Sequence, residues 1–281
     1  MLSERYLFSD PGEEISFAIP ARNVGLVVKS HGSNVYGRIL LPAAQSRDER
    51  TPLVLLLHGY PGLEQNMDVP PALRRVGIAT AYFSYRGVWG GHGDYCFSHV
   101  IEDVASVLEH LRLHADKYMI DPEKVFLVGH SMGGFATLNA IACGAAVKGA
   151  VLIAPGDIGY IYEEKRKLFD QLMLSQKYGY FRTPYDSFLE EDVAAHAKEW
   201  RFDALAEKIP QTMPLHFIGA AEDVVVPPEQ HIKPIFRLLK ERGLDVTYQE
   251  LQDGHTIPSC RIALIKMIYQ KIAQMAEGCC G

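Results

Sequence analysis

The sequence is poor in every feature that would mark a nucleic-acid-binding, membrane-spanning or disulfide-stapled protein. Basic residues are outnumbered, 28 Lys and Arg against 34 Asp and Glu, giving a net charge of −6. General electrostatic binding to nucleic acid needs a basic footprint, so this balance argues against it. The longest apolar runs, such as residues 53–57, fall far short of the ~20 residues that a membrane helix needs. The start, Met1-Leu2-Ser3-Glu4-Arg5-Tyr6, lacks a basic head followed by an apolar stretch, so no signal peptide is expected. Cysteine is scarce and odd in number: Cys96, Cys143, Cys260, Cys279 and Cys280. No spacing among them suggests a zinc knuckle, so reduced thiols, a cytoplasmic location and no metal or other cofactor are the expectation. The adjacent Cys279 and Cys280 read as a frayed tail rather than an acylated one.

What is present is an ordinary globular composition. Apolar residues make up 48% and charged residues 22%, which excludes a mostly disordered chain. The chain is long enough to bury a deep core without staples.

The first fifty residues read as β. Residues 15–19 alternate Ile15, Phe17 and Ile19 with Ser16 and Ala18, the period of a strand with one buried face, and residues 24–29 and 34–41 are further short runs. From residue 52 the pattern changes. Residues 53–57 are continuously apolar, as expected of a parallel strand covered on both faces. Residues 78–83, 125–128, 150–153, 215–218 and 246–251 are similar.

Between them lie helical stretches at 97–114, 132–142, 228–242 and 261–277; the first carries Val100, Val104, Val107 and Leu111 at helical spacing. Alternating strand and helix predicts an α/β fold with a mainly parallel sheet. Residues 157–209 interrupt the alternation and are too many for an ordinary crossover. They hold ten of the chain's aromatic residues. The expectation is a core of residues 1–156 and 210–281 with a helical cap inserted at 157–209, its aromatics lining an acyl pocket in part and packing onto the core in larger part.

Four short segments carry chemistry. Gly129-His130-Ser131-Met132-Gly133 is G-x-S-x-G, and it follows a predicted strand and opens a predicted helix. That setting exposes a serine oxygen on a sharp turn, with glycines removing steric conflict. His58-Gly59-Tyr60-Pro61-Gly62 follows another strand. The N–H groups of Tyr60 and Met132 are the expected oxyanion hole, while the His58 side chain is read as structural. An acid follows the strand at 215–218, in Glu222-Asp223 with Pro227 four positions beyond Asp223, and His255 follows the strand at 246–251. Loops at the carboxyl ends of parallel strands share one sheet edge, so serine, acid and histidine can converge. His255 would take the Ser131 proton, and Asp223 would hold the imidazole tautomer. Glu222 and Asp253 remain alternative acids, and the spacing to Pro227 favours Asp223.

On these residues the chain resembles the α/β-hydrolase superfamily from about residue 50 to 277. The resemblance implies a serine hydrolase with Ser131, Asp223 and His255 as its triad. Tyr85-Arg86-Gly87-Val88-Trp89-Gly90-Gly91-His92-Gly93, with Glu102-Asp103-Val104 on the next helix, is similar to small acyl esterases and to the acylaminoacyl-peptidase-like branch. A carboxylic-ester hydrolase acting on a small-molecule acyl ester is the leading expectation. An aminopeptidase or acylpeptide hydrolase taking a short acyl-peptide is the alternative; it needs an acidic anchor, for which Glu163, Glu164, Glu190 and Glu191 are available. Thioester or lactone cleavage stays open, and a silent binding module is the remaining class. Arg86 is read as an internal ion pair, His92 as a structural loop residue, and His110 with His114 as a solvated face.

Overall fold

A computed structural model describes residues 3–12, 15–62 and 66–278. The Cys279-Cys280 tail lies outside the described residues. The chain begins with a hairpin of β1 (Arg22–Ser30) and β2 (Ser33–Leu41). Its two turn residues, His31 and Gly32, have φ of 45° and 82°, the two positive angles of a type I′ turn.

The alternating part then runs β3 (Thr51–Leu57), α1 (Val69–Arg75), β4 (Ala79–Ser84), α2 (Phe97–Leu113), α3 (Ala115–Tyr118), β5 (Ile120–His130), α4 (Met132–Ala142) and β6 (Gly149–Ile153). A helical stretch follows: α5 (Ile158–Glu164), α6 (Arg166–Met173), a 3₁₀ turn at Leu174–Tyr178, α7 (Phe188–Trp200) and α8 (Phe202–Ala206). The chain ends with β7 (Leu215–Ala220), α9 (Pro228–His231), α10 (Lys233–Glu241), β8 (Val246–Leu251) and α11 (Arg261–Glu277).

The strands form one sheet in the order β1-β2-β4-β3-β5-β6-β7-β8. Pairing is antiparallel for β1 with β2 and for β2 with β4, and parallel for every other neighbouring pair. This is the mostly parallel α/β sheet flanked by helices that the alternation predicts. Its central strands are mostly apolar because both faces are covered, with Thr80 of β4 and His216 of β7 among the buried polar exceptions. Leu53, Leu55 and Leu57 of β3 face a core shared with α2, α4 and α10, while Val54 and Leu56 face one shared with α1 and α11. The period of two sends neighbouring residues to opposite faces, so a strand in the middle layer can hold no polar alternation.

Two expectations need correction. Residues 15–19 form no strand; Ile19 makes a single bridge to Ala44. Five residues are few to hold a register, and Pro20 removes the next donor. The helix expected over 228–242 is two helices, because Pro234, in the first turn of α10, lacks the N–H that would continue α9.

Candidate active site

Ser131 joins β5 to α4 with φ 55° and ψ −117°, a conformation that costs a non-glycine residue energy and persists only when its surroundings fix it. Here they do. The Ser131 N–H donates to Ile153 O at 2.9 Å, and its carbonyl accepts from Gly134 N and Gly156 N at 2.9 and 3.1 Å. The flanking glycines are required by space. A Cβ on Gly129 would lie 2.2 Å from Gly133 O, and one on Gly133 would lie 2.1 Å from Leu57 O. The helix start therefore presses directly on β3, and the serine is held outward at the sheet edge.

His255 stands against it. Its Nε2 is 2.9 Å from Ser131 Oγ, and its Nδ1 is 2.7 Å from Asp223 Oδ2. Asp223 is buried, and its other oxygen accepts from Val225 N and Val226 N at 2.8 and 2.9 Å. Burial alone would raise this carboxyl; the hydrogen bond and charge of His255 together with the two amides outweigh it and hold Asp223 below the usual carboxylate range. Of the alternative acids, Glu222 is exposed. Asp253 turns inward on its own loop, accepting from Gly254 N, Ser259 N and Cys260 N, and so shapes the segment that carries His255.

Met132 is the first residue of α4, whose amide has no partner within the helix. The turn after β3 lies close by, since a Cβ on Gly59 would be 3.1 Å from Ser131 Cβ. Tyr60 follows directly. Its ring borders the cavity at Ser131. Its hydroxyl donates to Leu172 O at 3.1 Å and accepts from Ser175 Oγ at 2.8 Å.

The remaining candidates are structural in place. His58 is buried, its Nδ1–H donates to Gly59 O at 2.8 Å, and burial lowers its pKa to about 4. Arg86 is buried and pairs with Asp103, at 2.6 Å, and with Glu102. His92 packs on Tyr36, and His110 stacks on His114 with centroids 4.2 Å apart. Among the described residues no group of three or more His, Cys, Asp or Glu could hold a metal.

Sequence reasoning passed over His130. Its ring lies beside that of His255, centroids 5.2 Å apart, and its Nε2–H donates to the His255 carbonyl at 2.9 Å. Burial keeps it neutral, with a pKa of about 4. No sequence signal beyond adjacency to Ser131 points to this contact, which spans the whole distance from β5 to the loop after β8.

A cavity of about 210 Å³ opens at Ser131 and His255. Its far wall comes from residues 157–209: Ile158, Ile161, Phe169, Leu172 and Met173. Only Phe169 among the segment's ten aromatics borders it, so the expected aromatic lining is mostly aliphatic. The reason is helical phase: Ile158 and Ile161 are three apart on α5, and Phe169, Leu172 and Met173 form one stripe on α6. Phe181, Trp200 and Phe202 pack into the core, whereas Tyr178 and Tyr185 are exposed. The four acids that could anchor a substrate amine are occupied elsewhere. Glu163 and Glu164 pair with Arg201, Glu190 with Arg166, and Glu191 bonds to Ser187 and Tyr185.

A family model described as the alpha/beta hydrolase family matches residues 54–262. The chain belongs to the alpha/beta hydrolase family. Solved structures share the fold of this chain. The acylaminoacyl peptidase of Pyrococcus horikoshii aligns with a TM-score of 0.66 at 18% identity, covering 92% of this chain and 42% of that one. Esterases from the fungus Rhizomucor miehei align at 0.69 and 20%, covering 93% and 86%. A puromycin-hydrolyzing peptidase of Mycobacterium tuberculosis aligns at 0.69 and 19%, covering 95% and 40%. The chain thus spans about two fifths of the length of either peptidase and most of the length of the fungal esterase. No curated protein matches its sequence. No helix among the described residues is long and apolar enough to cross a membrane.

Proposed function

We propose that the protein is a serine hydrolase cleaving carboxylic esters of small molecules through an acyl-enzyme, with Ser131, His255 and Asp223 as its triad. The observation that carries this reading is the chain of contacts from Ser131 Oγ through His255, 2.9 and 2.7 Å, to a buried carboxylate. His255 Nε2 takes the hydroxyl proton as Ser131 attacks the acyl carbon. Asp223 fixes the Nδ1–H tautomer and stabilises the imidazolium that forms. The N–H groups of Tyr60 and Met132, with the positive end of α4 behind the latter, take the oxyanion. The imidazolium then protonates the departing alcohol. Water, deprotonated in turn by His255, releases the acid.

Residues 157–209 act as a cap over this site and supply the wall of the acyl cavity. That wall is apolar, and Glu163, Glu164, Glu190 and Glu191 are each engaged by another residue. Both facts favour an ester with a neutral acyl group over an aminopeptidase substrate with a free amine. A cytoplasmic setting agrees with the free thiols of Cys96, Cys143 and Cys260.

A fluorophosphonate probe tests the chemistry, and a panel of acyl esters, aminoacyl anilides and thioesters tests the substrate. Labelling at Ser131 with turnover of esters above anilides is the expected result. Absence of labelling overturns the triad, and faster anilide cleavage overturns the ester preference.

A further inference from the structure

Beside the site, on the loop after β4 and at the end of the 3₁₀ turn and just past it, three aromatic rings meet at the surface. Trp89 and Tyr180 have centroids 5.3 Å apart, and Tyr180 and Tyr178 have centroids 5.8 Å apart. Trp89 is 51% exposed and Tyr178 71%. Single exposed rings are common on protein surfaces, but a contiguous aromatic patch marks a place where something binds.

The rings are held in place. Trp89 has φ 51°, a left-handed angle that a bulky residue rarely adopts. Its main-chain N–H donates to Tyr180 O at 2.8 Å, and its indole N–H donates to Gly62 O at 3.1 Å. Backbone strain spent on presenting an exposed, oriented indole points from geometry to function.

The patch also joins the site. Gly62 lies two residues past Tyr60. Phe181, next to Tyr180, packs on the Tyr60 ring at 5.4 Å and is only 7% exposed. Packing therefore links Tyr60, at the cavity wall, through the buried Phe181 ring to the segment that presents Tyr180 beside Trp89 and Tyr178. Arg182, two residues past Tyr180, is paired with Asp94 at 2.9 Å.

From this arrangement we propose that Trp89, Tyr180 and Tyr178 form a stacking shelf for the departing half of the substrate, an uncharged alcohol bearing a flat aromatic ring. The proposal rests on the reading of Ser131 as an esterase nucleophile. In that reading the enclosed cavity takes the acyl chain, so the alcohol lies outside it along the rim. Tilted rings with centroids 4.5–7 Å apart suit offset and edge contacts with a planar guest.

The test compares three butyrate esters on the full-length protein: 2-naphthylmethyl, cyclohexylmethyl and ethyl. Their alcohols have similar reactivity and differ in shape. Tyr178→Ala, at an exposed position without a role in the chemistry, is expected to raise KM for the naphthylmethyl ester about 2- to 10-fold, a ring pair's worth, and Trp89→Leu by at least as much. Tyr178→Ala should leave kcat for the ethyl ester unchanged. An equal rise for the cyclohexylmethyl ester, or no rise for the naphthylmethyl one, overturns the shelf. A larger effect on butyrylcholine than on the naphthylmethyl ester overturns it in favour of a cation site.

A second readout does not depend on catalysis. Trp200 is buried, so the accessible indole fluorescence belongs to Trp89. Saturable quenching by 4-nitrobenzyl alcohol, weakened in Tyr178→Ala, is expected. Linear, unsaturable quenching overturns the shelf. If fluorophosphonate fails to label Ser131 while quenching saturates, the esterase reading falls and the aromatic site stands.

Discussion

On one side of Ser131, positions are fixed by tightly packed main chain; on the side of residues 157–209, the cavity wall is made by the ends of side chains. The core side leaves no room: α4 starts so close to β3 that a methyl group on Gly133 would meet a carbonyl at 2.1 Å. Ser131 itself is bonded through its backbone to β6 and to its own helix. The other side touches the cavity through the ends of Phe169, Leu172 and Met173 and is pinned by a few polar contacts. One of these is Asp157, whose two oxygens accept from Tyr160 N and Phe202 N, closing the neck of the segment. In the proposed reading, reactivity sits in the part that cannot shift, and selectivity sits in the part that can be repacked without disturbing it.

The strongest way to break that division is at the nucleophile. Ser131→Ala is expected to lower kcat by more than about 10⁵-fold, with unchanged far-ultraviolet circular dichroism. Retention of a tenth of the activity would move the chemistry elsewhere.

Next in size is the acid. Asp223→Asn should cost about 10⁴-fold in kcat, because the amide favours the wrong imidazole tautomer. The adjacent Glu222→Gln, at an exposed position, should stay within a factor of about two. Reversed outcomes would show that the contact at 2.7 Å is not the working one.

On the other side of the comparison, Leu172→Trp fills the cavity from the α6 stripe. Preference should shift from butyryl or hexanoyl toward acetyl esters by about 10-fold, with fluorophosphonate labelling of Ser131 retained. Loss of labelling would mean that the two sides are not separable.

The smallest effect concerns pH. Burial raises Asp157 to about 6, against hydrogen bonds from Tyr160 and Phe202 that favour its charge. A raised folded-state value means that the folded protein binds the extra proton between about 4 and about 6. The stability tied to that proton is full below this window and is lost as pH rises through it. Urea unfolding across the window should show wild type losing stability relative to Asp157→Asn. Parallel curves would remove Asp157 as a titrating clip.

The same contrast explains what the sequence could and could not reveal. Ser131 and His255, which the fold brings within 2.9 Å, are legible because each sits within a few residues of a strand end, and contiguous motifs report local backbone geometry; Tyr60 and Met132 as oxyanion donors stay a proposal. Asp223 is favoured through its spacing to Pro227, and Asp253 stayed an alternative because sequence does not say which way a carboxylate turns. His130 escaped notice because its contact with the His255 carbonyl is remote in the chain. The cavity wall was misjudged because aromatics were counted. The stripe of Ile158, Ile161, Phe169, Leu172 and Met173 is visible only once helix phase is known. The strand expected at 15–19 failed for a related reason: alternation shows which residues would share a face, not whether a neighbouring strand exists to receive them.

Tyr60 belongs to both sides at once. Its amide is one of the two proposed oxyanion donors, while its phenol is tethered to Leu172 and Ser175. Grafting a foreign cap onto this scaffold would therefore cut a tether on the oxyanion loop along with the old pocket. A chimera that keeps a hydroxyl donor at the position of Ser175 and a carbonyl at that of Leu172 retains the anchor. One that omits them inherits a looser loop whatever the quality of its new cavity.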